Sequence, residues 1–409
     1  MAADRLSDLP EDLLRRILYF APAKEGASTA VLSRRWRFLW QTSGAVNLDS
    51  RSYDRTYGAS LDNGPKHEAF LQGAMAALRA VAANGPVKRL SLHIESVNIY
   101  SISRFVFYRD DESETDHESE TDTDQNLISK VMSNPAARSV EELHIAELLE
   151  DWSGASFPLL NSLLLHGCHV VFKDLQSMIH GAPHLTTVRL ESINILHHWN
   201  DSASGNHGCT ICGPEVTSLV LTDWSGYGLD EIDSIALDMP KLEYFRYEWF
   251  QSCQVSMKSQ VWNMTQADLH FKDTMYDEDK LRVTFWHFLR NFGNTKVLKL
   301  KLDCPIDELA ITDMKRLDEL LDNKLLFNLE RLEIEGCYNR AGNNVAGIAV
   351  ANLLHCCPIV HDLWLRIKAK RREVLYNDHD IARKTKLDFD RSVENFKRLR
   401  GISGGNDDI

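Results

Sequence analysis

The segment His207–Gly213, HGCTICG, places Cys209 and Cys212 in a C-x-x-C beside a histidine. Thiolates and imidazoles at this spacing suit zinc, and a structural zinc takes four such ligands, usually from two pairs. The nearest other thiols, Cys168 and Cys253, have no close partner, while His197 and His198 lie upstream. Two readings stay open: a zinc site that borrows distant ligands, or two loop thiols in an insertion. The second is favoured, so no metal and no cofactor are expected. Cys356 and Cys357 end an apolar helical stretch and read as packing residues. No nucleophile elbow, phosphate loop or kinase signature occurs. The sixteen histidines form no catalytic pattern, and no catalytic residue is assigned.

Charge supplies the next candidate. Asp110–Asp124, DDESETDHESETDTD, holds nine acidic residues and no basic one, and accounts for most of the net charge of -13. A run of one sign without apolar residues repels itself, so 110–125 is expected to be a disordered insertion. The functional alternative is a site for a basic partner, or for an acid-directed kinase at Ser113 or Ser119. Each phosphate would add about -1.5 to -2 of charge. The acidic balance argues against nucleic-acid binding, which needs clustered Lys and Arg on phosphates.

The eight cysteines are scattered without the spacing of a disulfide framework. The start, MAADRLSDLP, lacks the basic and apolar regions of a signal peptide. No apolar run approaches the roughly 20 residues of a membrane helix. Nucleus or cytoplasm is expected, with no membrane and with reduced thiols.

The elements that would carry a function divide the 409 residues into unlike parts. Near the start, Asp8 reads as a helix cap, with Pro10 in the first turn and Glu11 and Asp12 at the positive helix end. Leu9, Leu13, Leu14, Ile17 and Leu18 follow at helical spacing. A second short helix is expected over Ser28–Leu32, leading through Ser33 into Arg34–Trp40. Each large side chain here gains about 1.5–3 kcal/mol on full burial. A unit of some 40 residues cannot hide them all. Some must face the rest of the chain or a partner.

These residues carry a resemblance. Leu6–Trp40, LSDLPEDLLRRILYFAPAKEGASTAVLSRRWRFLW, resembles the plant type of F-box, with its LP-x-(E/D)-x-L-x-x-I-L opening and LS-(K/R)-RW-(R/K)-x-LW closing. It departs in carrying Ser28 before Thr29, where plant members often have Arg. The resemblance implies a three-helix unit over 1–45 that docks a Skp-type adaptor and, through it, a cullin. By position, the contacts would fall on Leu9, Pro10, Leu13, Ile17 and Leu18, with Val31, Leu32, Ser33 and Trp36 as a second patch. The chain would then be the substrate-recognition subunit of a ubiquitin ligase, not an enzyme itself. The alternative is a repeat scaffold that recruits no ligase.

Residues 46–86 read as a polar connector or cap with a helix over His67–Ala82, whose Phe70, Leu71, Met75, Leu78 and Val81 form one stripe. From 87 to 370 one grammar repeats. An apolar residue, two others, Leu, one other and an apolar residue recur at Val87–Leu92, Val140–Ile145, Leu160–Leu165, Leu185–Leu190, Val216–Leu221, Leu242–Tyr247, Thr295–Leu300, Leu329–Ile334 and Val360–Leu365. Gln266–Phe271 is a weaker copy. The spacing, about 20–35 residues, is that of leucine-rich repeats or a little above it. The expected fold is therefore α/β: the small helical unit, then a solenoid with a curved parallel sheet.

Alternate residues of such strands point outward. His93, His144, His166, Arg189, Glu191, Arg246, Glu248, Lys299, Lys301, Glu333, Trp364 and Arg366 should line one face. Solenoids present such faces to partners. His144, His166, Arg189, Arg246, Lys299, Lys301, Trp364 and Arg366 are the candidates for binding an unknown target protein. Cys356–Ile367 and Asp388–Arg398 also resemble the C-terminal repeat-plus-FBD region of plant F-box proteins, so 371–409 reads as FBD-like or incomplete.

Overall fold

The computed structural model describes residues 9–31, 34–53, 64–94, 127–146, 156–196, 208–223, 225–226, 234–249, 254–259, 261–272, 278–322, 326–339, 345–369 and three positions between 391 and 398. The acidic run 110–124, Leu32, Ser33, His197, His198, His207 and nearly all of 371–409 lie outside the described residues. The chain forms two compact units, residues 1–204 with 225–229, and residues 205–224 with 230–409.

In the first unit, three short helices come first: α1 (Glu11–Phe20), α2 (Ala23–Ser28) and α3 (Arg34–Gln41), with a 3-10 turn over Thr29–Val31. Two expectations are corrected. Helix α1 starts at Glu11 with Pro10 in the cap position, at φ -57° and ψ 151°; its ring fixes φ and carries no polar side-chain atom, so there is no side-chain cap. The second helix starts at Ala23, directly after Pro22, rather than at Ser28. Proline fits a helix start because its missing N–H would be unpaired there anyway.

The segment read as a polar connector contains a strand. Residues Ala45–Asp49 (β1) pair in parallel with Arg89–His93 (β2), and so open the sheet. Helix α4 (Gly64–Ala82) follows β1, with Phe70, Ala74, Leu78 and Val81 buried. The sheet continues with β3 (Glu142–Ala146) and β4 (Ser162–His166), while β5 (His169–Val171) starts a smaller sheet; β6 (Thr187–Glu191) then pairs with β4. Inward residues stack in register: Val46, Leu90, Leu143, Leu163 and Val188 form one row, and Leu48, Leu92, Ile145, Leu165 and Leu190 the next. All ten are buried. The small sheet of β5, β7 (Asn194–Leu196) and the two-residue β10 (Ser225–Gly226) is also parallel.

The second unit repeats the plan. Its small parallel sheet joins β8 (Gly208–Cys212), β11 (Ser234–Asp238) and β13 (Gln254–Met257). Its main sheet runs β9 (Ser218–Thr222), β12 (Tyr244–Trp249), β14 (Gln266–Phe271), β15 (Val297–Pro305), β16 (Arg331–Tyr338) and β17 (Asp362–Ala369), all parallel. Leu219, Phe245, Ala267, Leu298, Leu332 and Leu363 make one buried row. An aromatic cluster of Phe271, Phe285, Phe288 and Phe292 fills the space behind, and the buried Trp286 donates its N–H to the Leu309 carbonyl at 3.0 Å.

A turn leads into five of the ten repeat strands. Its ends are buried, its middle is exposed, and a backbone bond closes it: Leu160 to Phe157, Leu185 to Ala182, Val216 to Gly213, Leu242 to Met239, and Val360 to Cys357. Proline occupies the second position of each, at 158, 183, 214, 240 and 358. Its fixed φ suits that position and it needs no N–H there. All ten sequence copies of the repeat grammar form strands of the main sheets.

Candidate functional site

The first candidate surface is built on α1. Leu14 and Leu18, one turn apart, face inward and are 0% and 2% exposed; Trp36, Leu39 and Trp40 of α3 are buried beside them. Arg35 ties α3 to the start of α1 by donating to the Leu9 carbonyl at 2.7 Å. Gly26 of α2 lies against the Trp40 ring so closely that a Cβ there would stand 2.4 Å from it. The opposite stripe of α1 stays open: Leu13, Ile17 and Phe20 are exposed, as are Val31 and Phe38. Residues at i, i+4 and i+7 share a helix face, so 13, 17 and 20 form one apolar ridge.

The structure sorts the sequence-predicted adaptor residues into groups. Leu13 and Ile17 are half-exposed, Val31 is 89% exposed, Pro10 is exposed and Leu9 is partly so. Leu18 and Trp36 are buried within the helical unit, which needs an inner face before it can offer an outer one. Leu32 and Ser33 lie outside the described residues. Phe20 and Phe38 were missed. Their signal was present in the helical spacing, but spacing alone does not say which stripe faces out.

The helical unit is latched to the sheet beside it. The Asn47 side chain of β1 donates to the carbonyls of Tyr19 and Ala21 at 2.8 and 3.0 Å, capping the end of α1. Tyr19 donates its hydroxyl to Glu142 at 3.1 Å, and Arg89 pairs with the same carboxylate at 2.8 Å. Burial, reinforced by Glu142, pushes the Tyr19 phenol up to about 12. Arg89 also lies over the Phe20 ring at 5.2 Å.

The outward side of each main sheet is the second kind of surface. In the first unit it carries His144, which meets Ser91 at 3.3 Å, and His166, 3.6 Å from Glu191. Arg189 reaches Glu191 at 2.6 Å. Burial, with Arg89 and His166 nearby, lowers the His144 pKa. In the second unit, Arg246, Lys299, Lys301, Trp364 and Arg366 converge on one groove of about 530 Å³, together with Glu248 and Glu333. The register accounts for this convergence. Arg246, Asp268, Lys299, Glu333 and Trp364 are direct partners across adjacent strands, as are Glu248, His270, Lys301, Glu335 and Arg366. The sequence reading missed Asp268, His270, Arg331 and Glu335.

The C-x-x-C lies within strand β8, not in a loop. An odd spacing in an extended strand sends the two side chains to opposite faces. Cys209 is buried and Cys212 is not, so the pair does not converge on one ion. Burial pushes the Cys209 thiol up to about 11, away from the thiolate a metal requires. Among the described residues, no group of three or more His, Cys, Asp or Glu is arranged to hold a metal, and no helix is long and apolar enough to cross a membrane.

Residues 6–44 match the F-box domain. The F-box segment therefore covers α1 to α3 and stops just before β1. Over 265 residues the chain is 24% identical to an F-box/LRR-repeat protein of Arabidopsis thaliana, covering 60% of this chain and 40% of that one. It is 28% identical over 263 residues to an FBD-associated F-box protein of the same plant, covering 61% and 57%. A putative F-box/LRR-repeat protein, again from Arabidopsis thaliana, is 25% identical over 335 residues, covering 74% and 60%. The chain thus spans about half the length of the curated relatives it matches. The plant F-box and leucine-rich-repeat resemblance holds in sequence, and the α/β architecture of F-box helices followed by parallel sheets agrees with it.

Proposed function

We propose that this chain is the substrate-recognition subunit of a Skp-cullin-F-box ubiquitin ligase, acting in the nucleus or cytoplasm. The observation that carries the reading is the split of α1 into a buried stripe, Leu14 and Leu18, and an open one, Leu13, Ile17 and Phe20. A helix whose core side is already satisfied but which keeps a second apolar side open fits a docking surface, because water-exposed apolar ridges gain free energy when a partner covers them. The F-box match and the F-box names of the relatives support a Skp-type adaptor as that partner. Val31 and Phe38 are exposed as well, and apolar and aromatic anchors of this kind carry most of the energy in protein interfaces. The sheet faces would hold the target. The subunit contributes no catalytic group; it supplies proximity to the recruited enzyme.

The test is co-purification of the full chain with a Skp-type adaptor, wild type against the double change Leu13→Asp and Ile17→Asp. The wild type should form a stable complex and the variant should lose it, with unchanged thermal unfolding because both positions are half-exposed. A folded wild type that binds no adaptor would leave the chain as a repeat scaffold without ligase recruitment.

A further inference from the structure

The charges in the second unit's groove are unequally committed. Glu248 is held by Arg246 at 2.9 Å and Lys272 at 3.4 Å, and is only 15% exposed. Asp268 accepts from Tyr244 and Gln266, both at 2.7 Å. Glu333 pairs with Arg331 at 2.8 Å, and Asp303 with His270 at 2.9 Å. The two lysines are freer: among the described residues Lys299 has only a loose contact to Glu333 at 3.8 Å, and no carboxylate pairs with Lys301. Lys299 and Lys301 lie two residues apart on β15 and so share a face, with Arg366 two strands away in register with Lys301. Glu335, exposed and lying between Lys301 and Arg366 in that row, is the one groove carboxylate without a side-chain donor among the described residues.

Two adjacent ammonium groups in a hollow, beside carboxylates of which Glu248 and Glu333 are ion-paired, Asp268 is hydrogen-bonded and only Glu335 lacks a side-chain donor among the described residues, leave donors for an incoming anion. The groove ends at Trp364, whose ring carries Arg331 over it at 5.3 Å and forms an apolar wall. We propose that this groove binds an acidic segment of the target protein, its carboxylates on Lys299 and Lys301 and an apolar side chain against Trp364. The inference rests on the reading of this face as the target surface. The row from Arg246 to Trp364 crosses five strands, roughly 19 Å, which an extended segment of about six residues spans.

The test uses the full chain and fluorescein-labelled hexapeptides, one of Glu with a single Phe and one of Lys with a single Phe, read by fluorescence anisotropy. The acidic peptide should bind and the basic one should not. Lys301→Glu should weaken binding by about tenfold or more, and Glu335→Gln should strengthen it, since the latter removes the like charge that faces the ligand. Raising salt should weaken binding, as expected for exposed charges. Both substituted positions are exposed, and equal thermal unfolding of the variants checks the fold. Preference for the basic peptide, no binding of the acidic one, or indifference to Lys301→Glu would overturn the proposal. Adaptor co-purification from the same preparation separates the two readings: a chain that binds adaptor but not the acidic peptide loses only this inference.

Discussion

The two candidate surfaces are built on opposite principles. The F-box segment exposes Leu13, Ile17, Phe20, Val31 and Phe38 on short helices that already have a core. The sheet groove of the second unit exposes almost only charge, with Trp364 as its aromatic exception, over a floor of buried leucines. An apolar ridge binds by area and tolerates little change in shape. A charged groove can be retuned one side chain at a time without disturbing what lies beneath. The difference suits a fixed partner on one surface and a specific partner on the other.

The comparison is sharpest between neighbours in α1. Leu18→Ala should cost about 2–5 kcal/mol of stability, as a large-to-small change in a core does, and adaptor binding should fall with the folded fraction. Ile17→Ala, one residue earlier and half-exposed, should move the unfolding midpoint little while still weakening adaptor binding. Denaturant titration beside the pull-down checks both; equal stability losses would mean that the open stripe is structural. A smaller effect is expected at the seam of the helices. Gly26→Ala places a Cβ against the Trp40 ring and should cost about 1–3 kcal/mol, the usual penalty for overpacking. Thermal unfolding that shows no loss would mean that Trp40 moves aside freely.

The smallest effect concerns pH and only the sheet side. Burial lowers the pKa of His144 and of His169 below the ordinary 6.5. The native state therefore holds both neutral, whereas the unfolded chain takes up protons once the pH drops below 6.5. Their contribution is present above 6.5 and is lost as pH falls through that value toward the lower native one. Melting curves at about pH 7.5 and about pH 5.5 should show the wild type losing more stability on acidification than the His144→Gln, His169→Gln variant. Parallel losses in both proteins would remove these histidines as the cause.

Much of the fold was legible because the repeat grammar has period two, and alternation of this kind has one solution beside a core. The strand at Ala45–Asp49 escaped because, in register with its neighbour, Ser43 stands where most copies carry an apolar lead-in and Val46 where most carry Leu. The proline-led turns stand in the sequence as Pro-x-Leu at 158, 183 and 240 and Pro-x-Val at 214 and 358, but their role in closing these repeats rests on backbone bonds between residues three apart. The C-x-x-C looked like a loop motif until pairing of β8 with β11 fixed it as a strand.

The sequence by itself determined which residue types would stand at the two surfaces: an F-box pattern of leucines and aromatics, and outward-facing charges between buried leucines. Only the tertiary structure decided which of two apolar stripes on α1 would remain open, because Leu13 with Ile17 and Leu14 with Leu18 are chemically alike and only α3 packing on one of them breaks the tie. It also decided which distant charges become neighbours. Lys299, Glu333 and Trp364 are each more than thirty residues apart along the chain, yet stand side by side because parallel strands in register turn repeat spacing into lateral contact.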